Sequence, residues 1–286
     1  MNSVMKASQF DLSQINYSDI KILDSGAKQV YVNYGPDNDR IILHTPRFTL
    51  PFNMSVFDKG ETPKYSFEAS FRDMENYKPL QEFYKKFSEF DTKLIDDGVA
   101  LSVSWFKKRN TTREVVDALY HAMIKPSRDR ETGEPDGKYP PTMRFKLPYR
   151  NGRFMFEVYD FNRNPIDLTE TPLTELLVKG SKVRALVQCS GLWFASGRYG
   201  CTWNVVQLRV KAPARLQNYA FLSDSDDDDD GNTGDASSSN LTGTAVNDSD
   251  DDDQVDDDDD DDDSGDSDQD EVVPIKITKK SRRRKN

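Results

Sequence analysis

Two runs of alternating apolar and polar residues predict a long β-hairpin over residues 182–210. Alternation with a period of two is typical of a strand that buries one face. The apolar positions are Val183, Ala185, Val187 and Cys189 in the first run and Val206, Leu208 and Val210 in the second. Residues 195–200 join the two runs and contain two glycines. We therefore predict that the chain turns in this segment.

The outer face of this hairpin is predicted to carry aromatic and cationic side chains. If the apolar residues of the second run face a core and no bulge shifts the register, the intervening residues face outward. The outward positions and the tip comprise Tyr199, Trp203, Gln207, Arg209, Trp193, Phe194 and Arg198. Rings that stack on bases and cations that follow phosphates are typical of single-stranded nucleic-acid binding. Ordinary cross-strand packing of the aromatic residues is the alternative.

The preceding chain predicts further strands and one long helix. Alternation and turn residues predict strands at 28–35, 40–44 and 64–72, while two prolines restrict 48–52 to a short or edge strand. An apolar stripe with helical spacing follows, formed by Tyr77, Leu80, Phe83, Tyr84, Phe87, Phe90 and Leu94. The predicted helix runs to about Asp97 and packs this stripe against the sheet.

Residues 99–106 are predicted to form another strand, because their apolar residues alternate. An aromatic pair and three cations end this segment, namely Trp105, Phe106, Lys107, Lys108 and Arg109. They form a second candidate site for base stacking and phosphate pairing. A solvated basic loop after a core tryptophan is the alternative.

The Asn151-Gly152 pair predicts a tight hairpin with a type I′ turn. That register pairs Leu147 with Phe156 and Phe145 with Val158 on the core face. The outer surface then gains the candidate contacts Arg144, Tyr149, Arg150, Arg153 and Tyr159. Short helices are predicted at 112–123 and 171–177, with a long loop at 124–141.

Hairpins with few helices predict a mainly β fold. We expect an OB-fold-like antiparallel barrel with one long and one short helix. The two cysteines are too few for a disulfide framework, and free, buried thiols are expected. The N-terminus shows no apolar segment of the kind that would predict a signal peptide or a membrane span.

The net charge of −11 averages two unlike parts of the chain. Residues 223–286 hold 24 acidic and 7 basic residues, whereas residues 1–222 have a net charge of about +6. We predict a nucleic-acid-binding domain at 1–222, a disordered acidic tail at 223–271 and a basic C-terminal segment at 272–286.

Three short segments of the long hairpin carry a family resemblance: GLWF at 191–194, YGCTW at 199–203 and QLRV at 207–210. They resemble the C-terminal hairpin of the single-stranded DNA-binding proteins of nucleo-cytoplasmic large DNA viruses. That family is similar in plan to phage proteins with an OB fold and an acidic C-terminal tail. The resemblance implies coating of single-stranded DNA during viral DNA replication, recombination and repair. It also implies that the DNA is contacted by Trp193, Phe194, Tyr199 and Trp203.

The tail contains eight consecutive aspartates at 256–263. A tethered polyanion is predicted to compete with DNA for the basic domain and to contact replication partners such as polymerase and primase–helicase. A purely solubilising tail is the alternative. Unlike the phage tails, this one continues into a basic cluster at 276–285, which predicts an import signal or a second nucleic-acid contact.

An enzyme is not expected. The chain has two histidines, no Cys/His set with metal-ligand spacing and no phosphate-binding glycine loop, so neither a metal nor a cofactor is predicted. The competing hypothesis is a histone-chaperone-like or virion scaffolding protein that binds basic proteins. RNA in place of DNA also stays open. An intracellular protein of the host nucleus or the viral replication factory is expected, with the virion as an alternative. No membrane partner is expected, and self-association is a further hypothesis.

Overall fold

The computed structural model describes residues 4–23, 26–60 and 62–213. The predictions for the acidic tail at 223–271 and the basic segment at 272–286 therefore lie outside the described residues. The α-helices are α1 (Lys78–Ala100), α2 (Ser102–Phe106), α3 (Arg113–Leu119) and α4 (Leu173–Leu176), and the 3-10 helices are Ala7–Gln9 and Leu12–Gln14. The strands are β1 (Val4–Lys6), β2 (Ile15–Tyr17), β3 (Lys21–Ile22), β4 (Lys28–Val30), β5 (Val32–Tyr34), β6 (Asp39–Arg40), β7 (Ile42–His44), β8 (Phe48–Thr49), β9 (Ser55–Phe57), β10 (Lys64–Ser70), β11 (Tyr120–His121), β12 (Ile124–Lys125), β13 (Thr142–Leu147), β14 (Tyr149–Arg150), β15 (Arg153–Phe154), β16 (Glu157–Tyr159), β17 (Lys182–Ala195) and β18 (Arg198–Lys211).

Strands β17 and β18 form the predicted long hairpin and organise the sheet. They pair antiparallel along their whole length. Hydrogen bonds then run from β17 through β8, β10 and β13 back to β18, which closes a ring of strands. Two of its contacts are single residue pairs, Ser70 with Thr49 and Lys146 with Asn204. The result is a ring of hydrogen-bonded strands and not a true barrel.

The sheet is mixed, which corrects the predicted antiparallel arrangement. Strand β1 runs parallel to β7, and β11, β13 and β16 all run parallel to β18. Because β18 is 14 residues long, its single edge accepts these three short strands one after another. Parallel strands cannot be joined by a tight turn, so the chain between each of these strands and β18 contains a helix or a loop. The prediction of a mainly β fold with few helices is confirmed.

Helix α1 confirms the predicted aromatic stripe. Its buried face comprises Leu80, Phe83, Phe87, Phe90, Leu94, Ile95 and Gly98. Phe83 stacks on Phe87 with ring centroids 4.3 Å apart, and Phe48 of β8 meets Phe83 edge-on at 5.5 Å. The helix therefore buries its stripe against the residues of the ring, and these aromatic contacts form the core.

The predicted strand at 99–106 is wrong, because this segment is helical. Helix α1 continues to Ala100, and α2 begins after Leu101 and ends at Phe106. The next residue, Lys107, has a left-handed φ of 58°. Trp105 is buried and meets Tyr17 edge-on at 5.1 Å. Alternation over eight residues is too short a pattern to distinguish a strand from a helix, and the helical backbone places Trp105 in the core.

The Asn-Gly turn forms as predicted, but its hairpin is shorter. Both central residues have positive φ, 51° at Asn151 and 77° at Gly152, as a type I′ turn requires. Only β14 and β15 pair across it. The predicted pairs Leu147–Phe156 and Phe145–Val158 do not form, because β13 pairs with β10 and β16 pairs with β18. Pro148 separates β13 from β14 and has no N–H to donate.

The other predicted elements are found with shifted ends. Strands β4 to β7 and β10 occupy the predicted strand regions, and α4 lies within 171–177. The helix predicted at 112–123 ends at Leu119 and gives way to β11. The loop predicted at 124–141 begins with the two-residue strand β12.

Candidate nucleic-acid interface

Two irregularities in the long hairpin decide which side chains face outward. The register of β17 against β18 shifts between Leu186 and Val187 and again between Cys189 and Gly191. Each shift exchanges inward and outward positions beyond it. The outward set that results runs from Trp193 and Gly200 near the tip to Arg184 and Arg209 at the base.

The predicted outward positions of Tyr199 and Trp203 are wrong. Trp203 is 1% exposed and Tyr199 is 0% exposed. The Trp203 indole N–H donates to Sδ of Met123 at 3.1 Å, and the Tyr199 hydroxyl donates to the Leu94 carbonyl at 3.2 Å. Burial raises the pKa of Tyr199 above its ordinary value. Both residues belong to the core, so neither offers a ring to a base in this structure.

Four of the predicted contacts come together, but they pack on the inner side of the hairpin. Phe194 stacks on Tyr199 with ring centroids 5.7 Å apart and an interplanar angle of 11°. Trp105 and Phe106 pack against both rings at 5.1–6.1 Å. Trp105 is buried, whereas Phe106 and Phe194 are half-buried. This inner aromatic cluster of Trp105, Phe106, Phe194 and Tyr199 supports the hairpin tip and does not form an open stacking face.

Trp193 is the tryptophan that lies on the outer face. It is half-buried, and its register partner on β18 is Gly200. A Cβ at Gly200 would lie 2.8 Å from Cζ2 of Trp193 and 3.1 Å from the His121 carbonyl oxygen. The missing side chain therefore lets the indole lie across β18, where it meets the His121 ring at 5.9 Å. The outer face thus carries an aromatic platform at the tip, built from Trp193, Gly200 and His121.

The segment that carries His121 is fixed by a half-buried carboxylate on α1. Asp91 accepts hydrogen bonds from the Tyr120 hydroxyl at 2.6 Å and from the backbone N–H groups of Met123 and Ile124. Burial raises the pKa of Asp91 to about 6, although these three hydrogen bonds act in the opposite direction. Asp91 therefore ties β11 and β12 to the helix and positions one edge of the platform.

Several predicted cations lie at the surface, and their role stays a prediction. Lys107, Lys108, Arg109, Arg153 and Arg198 are exposed. Arg144 is exposed as well but forms an ion pair with Glu68, with Nη2 and Oε1 3.2 Å apart. An ion pair reduces the charge that Arg144 can offer to a phosphate.

Tyr149, Arg150 and Arg153 belong to the short hairpin, where an aromatic cluster forms around Tyr65. The Tyr149 and Tyr65 rings are 4.8 Å apart, and Phe154 contacts both. The short hairpin, formed by β14 and β15, is a separate two-stranded sheet, so these residues do not lie on the outer face of the long hairpin.

Two residues at the base of the long hairpin, Arg184 and His44, were not among the predicted contacts. Arg184 stands directly opposite Arg209 on the outer face. His44 of β7 pairs with Leu186 beside them, and Tyr159 of β16 pairs with Arg209. Alternation with the inward residues Val183 and Ala185 already implied that Arg184 faces outward. The position of His44 depends on a pairing across more than 140 residues, which no local pattern reveals.

The two cysteines lie side by side across the hairpin as free thiols. Their sulfur atoms are 3.5 Å apart, and burial raises the pKa of the Cys201 thiol. The prediction of free cysteines is therefore confirmed.

The described residues contain neither a membrane-spanning helix nor a metal-binding cluster. No helix there is long and apolar enough to cross a membrane. Within the same residues, no group of three or more His, Cys, Asp or Glu side chains is placed to hold a metal ion.

One family model matches the part of the chain that contains most of this site. A model described as a family of unknown function, DUF5871, matches residues 77–223, just over half of the chain. The chain belongs to this family. The DUF5871 match begins next to α1 and includes the whole long hairpin.

A DUF5871 chain such as this one also has a viral relative. The uncharacterized protein L291 of Acanthamoeba polyphaga mimivirus is 25% identical over 185 residues, which are 61% of this chain and 26% of that protein. The chain thus spans about a quarter of the length of this relative. The chain is therefore distantly related to a mimivirus protein, which agrees with the viral part of the resemblance.

Three solved structures of the single-stranded DNA-binding protein from bacteriophage Enc34 are similar at a low level. The complex with single-stranded DNA has a TM-score of 0.33 and 11% identity, and the match covers 69% of this chain and 92% of the phage chain. The C-terminal truncation has a TM-score of 0.33, 10% identity and coverages of 71% and 98%. The third structure has a TM-score of 0.30, 12% identity and coverages of 74% and 97%.

Proposed function

We propose that this protein binds single-stranded DNA along the outer face of the long hairpin and coats it during viral DNA replication, recombination and repair. The observation that supports this proposal is the composition of that face. It carries the Trp193 platform at one end and the Arg184–Arg209 pair at the other. Neither β17 nor β18 contains an acidic residue, whereas together they contain five basic ones. The ring of strands would serve as the rigid support that the barrel of an OB fold provides.

The chemistry of this face favours single strands over duplexes. An indole can stack on a base only when the face of that base is exposed, as it is in a single strand. Amide side chains between the two ends, from Gln188 and Asn204, are polar and uncharged and suit a strand of any sequence. Positive charge at the base attracts the phosphates and makes the affinity fall as salt rises.

The choice of DNA over RNA rests on the family resemblance of the hairpin. Ring faces and cations contact both nucleic acids alike, because they do not touch the 2′-hydroxyl group. The host nucleus or the viral replication factory is the proposed place of action.

The platform is tested by replacing Trp193 with alanine in the full-length protein. We expect the affinity for a labelled oligo-dT strand to fall about 5- to 150-fold, because stacking contributes about 1–3 kcal/mol per base. Fluorescence anisotropy at low and moderate salt measures this loss, with duplex DNA and oligo-U as competitors. Circular dichroism checks that the variant is folded.

Two matched variants complete this experiment. Trp193→Phe keeps an aromatic face and should retain most of the affinity, whereas Tyr139→Ala removes an aromatic residue that is 62% exposed in a loop and should change nothing. Unchanged affinity in folded Trp193→Ala would remove the platform from the proposal. A wild-type protein that ignores single strands but binds histone-like basic proteins would favour the scaffolding or chaperone alternative.

The acidic tail is proposed to compete with DNA for this face and to contact replication proteins. The proposal rests on charge, since residues 223–286 have a net charge of −17 and are joined to a basic domain. Tethering gives such a segment an effective concentration of roughly millimolar order.

A full-length variant in which the eight aspartates at 256–263 are changed to serine should bind oligo-dT more tightly than wild type at low salt. The difference should shrink as salt rises, because both attractions are screened. The same anisotropy assay measures it. A variant in which Ser237, Ser238 and Ser239 are changed to glycine serves as the control, because it alters the same tail without changing its charge. Equal affinities of wild type and the aspartate variant at low salt would contradict competition by the tail.

A further inference from the structure

Two arginines face each other across the base of the long hairpin without a charge partner. Arg184 and Arg209 are register partners on the outer face, and like charges directly opposite each other destabilise a sheet. Arg184 donates from Nη2 to the Tyr77 hydroxyl at 3.2 Å. Arg209 donates from Nη2 to the Phe161 carbonyl and lies over the Phe161 ring at 5.2 Å. Among the described residues, neither guanidinium forms an ion pair with a carboxylate.

Both arginines also have an unused donor. The Nε atoms of Arg184 and Arg209 are buried and have no hydrogen-bond partner within the described part of the chain. An unsatisfied buried donor destabilises the folded state, and more so when it belongs to a charged group. Both donors would be satisfied by an acceptor that binds between these adjacent strands.

A cleft of about 270 Å³ opens at this pair. Its polar lining consists of His44, Tyr159, Arg163, Arg184, Gln207 and Arg209. Among the described residues, no carboxylate lines it. Glu157, on the adjoining strand, already accepts hydrogen bonds from the Tyr159 hydroxyl at 2.8 Å and from Gln207 Nε2 at 3.0 Å. Asp160 accepts from the backbone N–H and the side chain of Asn164.

His44 reports the electrostatic potential in this cleft. Burial lowers the pKa of His44, and the positive charges of Arg184, Lys6 and Arg209 lower it further. Burial and the neighbouring cations therefore both favour the neutral imidazole. A bound anion would offset these charges and raise the pKa of His44 again.

We propose that this cleft binds one phosphate group of the nucleic-acid backbone between Arg184 and Arg209. The phosphate supplies the negative charge and the acceptor oxygens that the arginine pair lacks, and guanidinium–phosphate contacts are among the strongest hydrogen bonds in proteins. This site rests on the proposed function and extends it, because it fixes where the strand meets the hairpin base. Arg184 and Trp193 are nine residues apart on β17, or about 30 Å of strand, so one bound strand would span both.

Inorganic phosphate tests the site without DNA. The chain has two histidines, His44 and His121, so NMR titration of the imidazole signals in full-length protein resolves them readily. At constant ionic strength, replacing chloride with phosphate should raise the pKa of His44 and leave that of His121 unchanged. Arg184→Gln and Arg209→Gln should each abolish the response, whereas Arg130→Gln, an exposed arginine of the 124–141 loop, should preserve it.

Oligo-dT tests whether the phosphate belongs to a strand. The slope of log K against log salt changes by about 0.7 for each phosphate contact with a single strand, so Arg184→Gln should make it shallower by about that amount. Arg130→Gln should keep the wild-type slope. Arg209→Gln provides a second measurement if Arg184→Gln does not fold.

The outcomes separate the site from the proposed function. Tight strand binding with unchanged slopes in both variants and no His44 response overturns this phosphate site and leaves the proposed function standing. A His44 response to phosphate in a protein that binds no single strand overturns both the backbone assignment and the proposed function, and limits the cleft to free phosphate.

Discussion

Replacing Trp203 with alanine is expected to lower the free energy of unfolding by about 3–5 kcal/mol. The indole is 1% exposed and lies 5.1 Å from the Phe87 ring and 6.4 Å from the Phe90 ring of α1. It joins the hairpin to the aromatic stripe of the helix, and alanine would leave a cavity between them. The Met123 sulfur would also lose the indole N–H that donates to it. Denaturant unfolding followed by circular dichroism measures the loss.

Two variants give this prediction its controls. Trp203→Phe keeps an aromatic ring in the core and should lose much less stability. Trp193→Ala removes the same residue type from the outer face of the same hairpin, and it should lower DNA affinity far more than stability. A Trp203→Ala protein that unfolds at the wild-type denaturant concentration would contradict the buried position of this residue.

Replacing Gly191 with alanine is expected to lower the free energy of unfolding by about 3 kcal/mol or more. Gly191 has a φ of 106°, and a Cβ there would lie 2.4 Å from the Val30 carbonyl oxygen and 3.2 Å from the Tyr31 Cα. The strained backbone costs about 1–3 kcal/mol, and forcing apart packed atoms costs about 1–3 kcal/mol more. At about 2–4 °C per kcal/mol for a domain of this size, the melting temperature should fall by about 6–12 °C.

Gly197 in the turn of the same hairpin offers a matched control. Its φ is also positive, at 80°, but no atom lies within 4 Å of its added Cβ. Gly197→Ala should therefore cost only the backbone strain, about 1 kcal/mol. The difference between the two variants isolates the collision of residue 191 with β4. Equal melting temperatures for the two alanine variants would rule out that close approach.

Periodicity predicted the long elements because their signals extend over many residues. Helix α1 is 23 residues long, and its buried stripe runs from Leu80 to Gly98 with the spacing of one helical face. The long hairpin likewise has apolar residues on one face through most of both strands.

The orientation of the hairpin tip could not be predicted in the same way. Alternation traced back from Val210 and Leu208 predicts an inward Val206, but Val205 is buried and Val206 is half-exposed. The register shift opposite Leu186 and Val187 reverses the pattern from there to the tip, so Trp203 points inward. A bulge depends on the partner strands and leaves no periodic trace in the sequence.

The candidate site was only partly predictable for a related reason. Trp193 was identified from its residue type and place near the tip, and Arg209 from its alternation. The platform also needs His121, and the cleft needs His44, each brought to the hairpin by a strand of two or three residues. Such short strands have no pattern of their own, and their positions follow from long-range packing.

Closure of the strand ring places a constraint on the order of folding. Strands β7 and β8 lie near the start of the chain, yet both pair with β17, which is synthesised about 140 residues later. Strand β13 needs β18 in the same way. Strands β8 and β13 can pair with β10 early, but the edges that meet β17 and β18 have no partner until those two strands have left the ribosome. Contacts between segments so distant in sequence form slowly, so the growing chain exposes open strand edges for most of its synthesis.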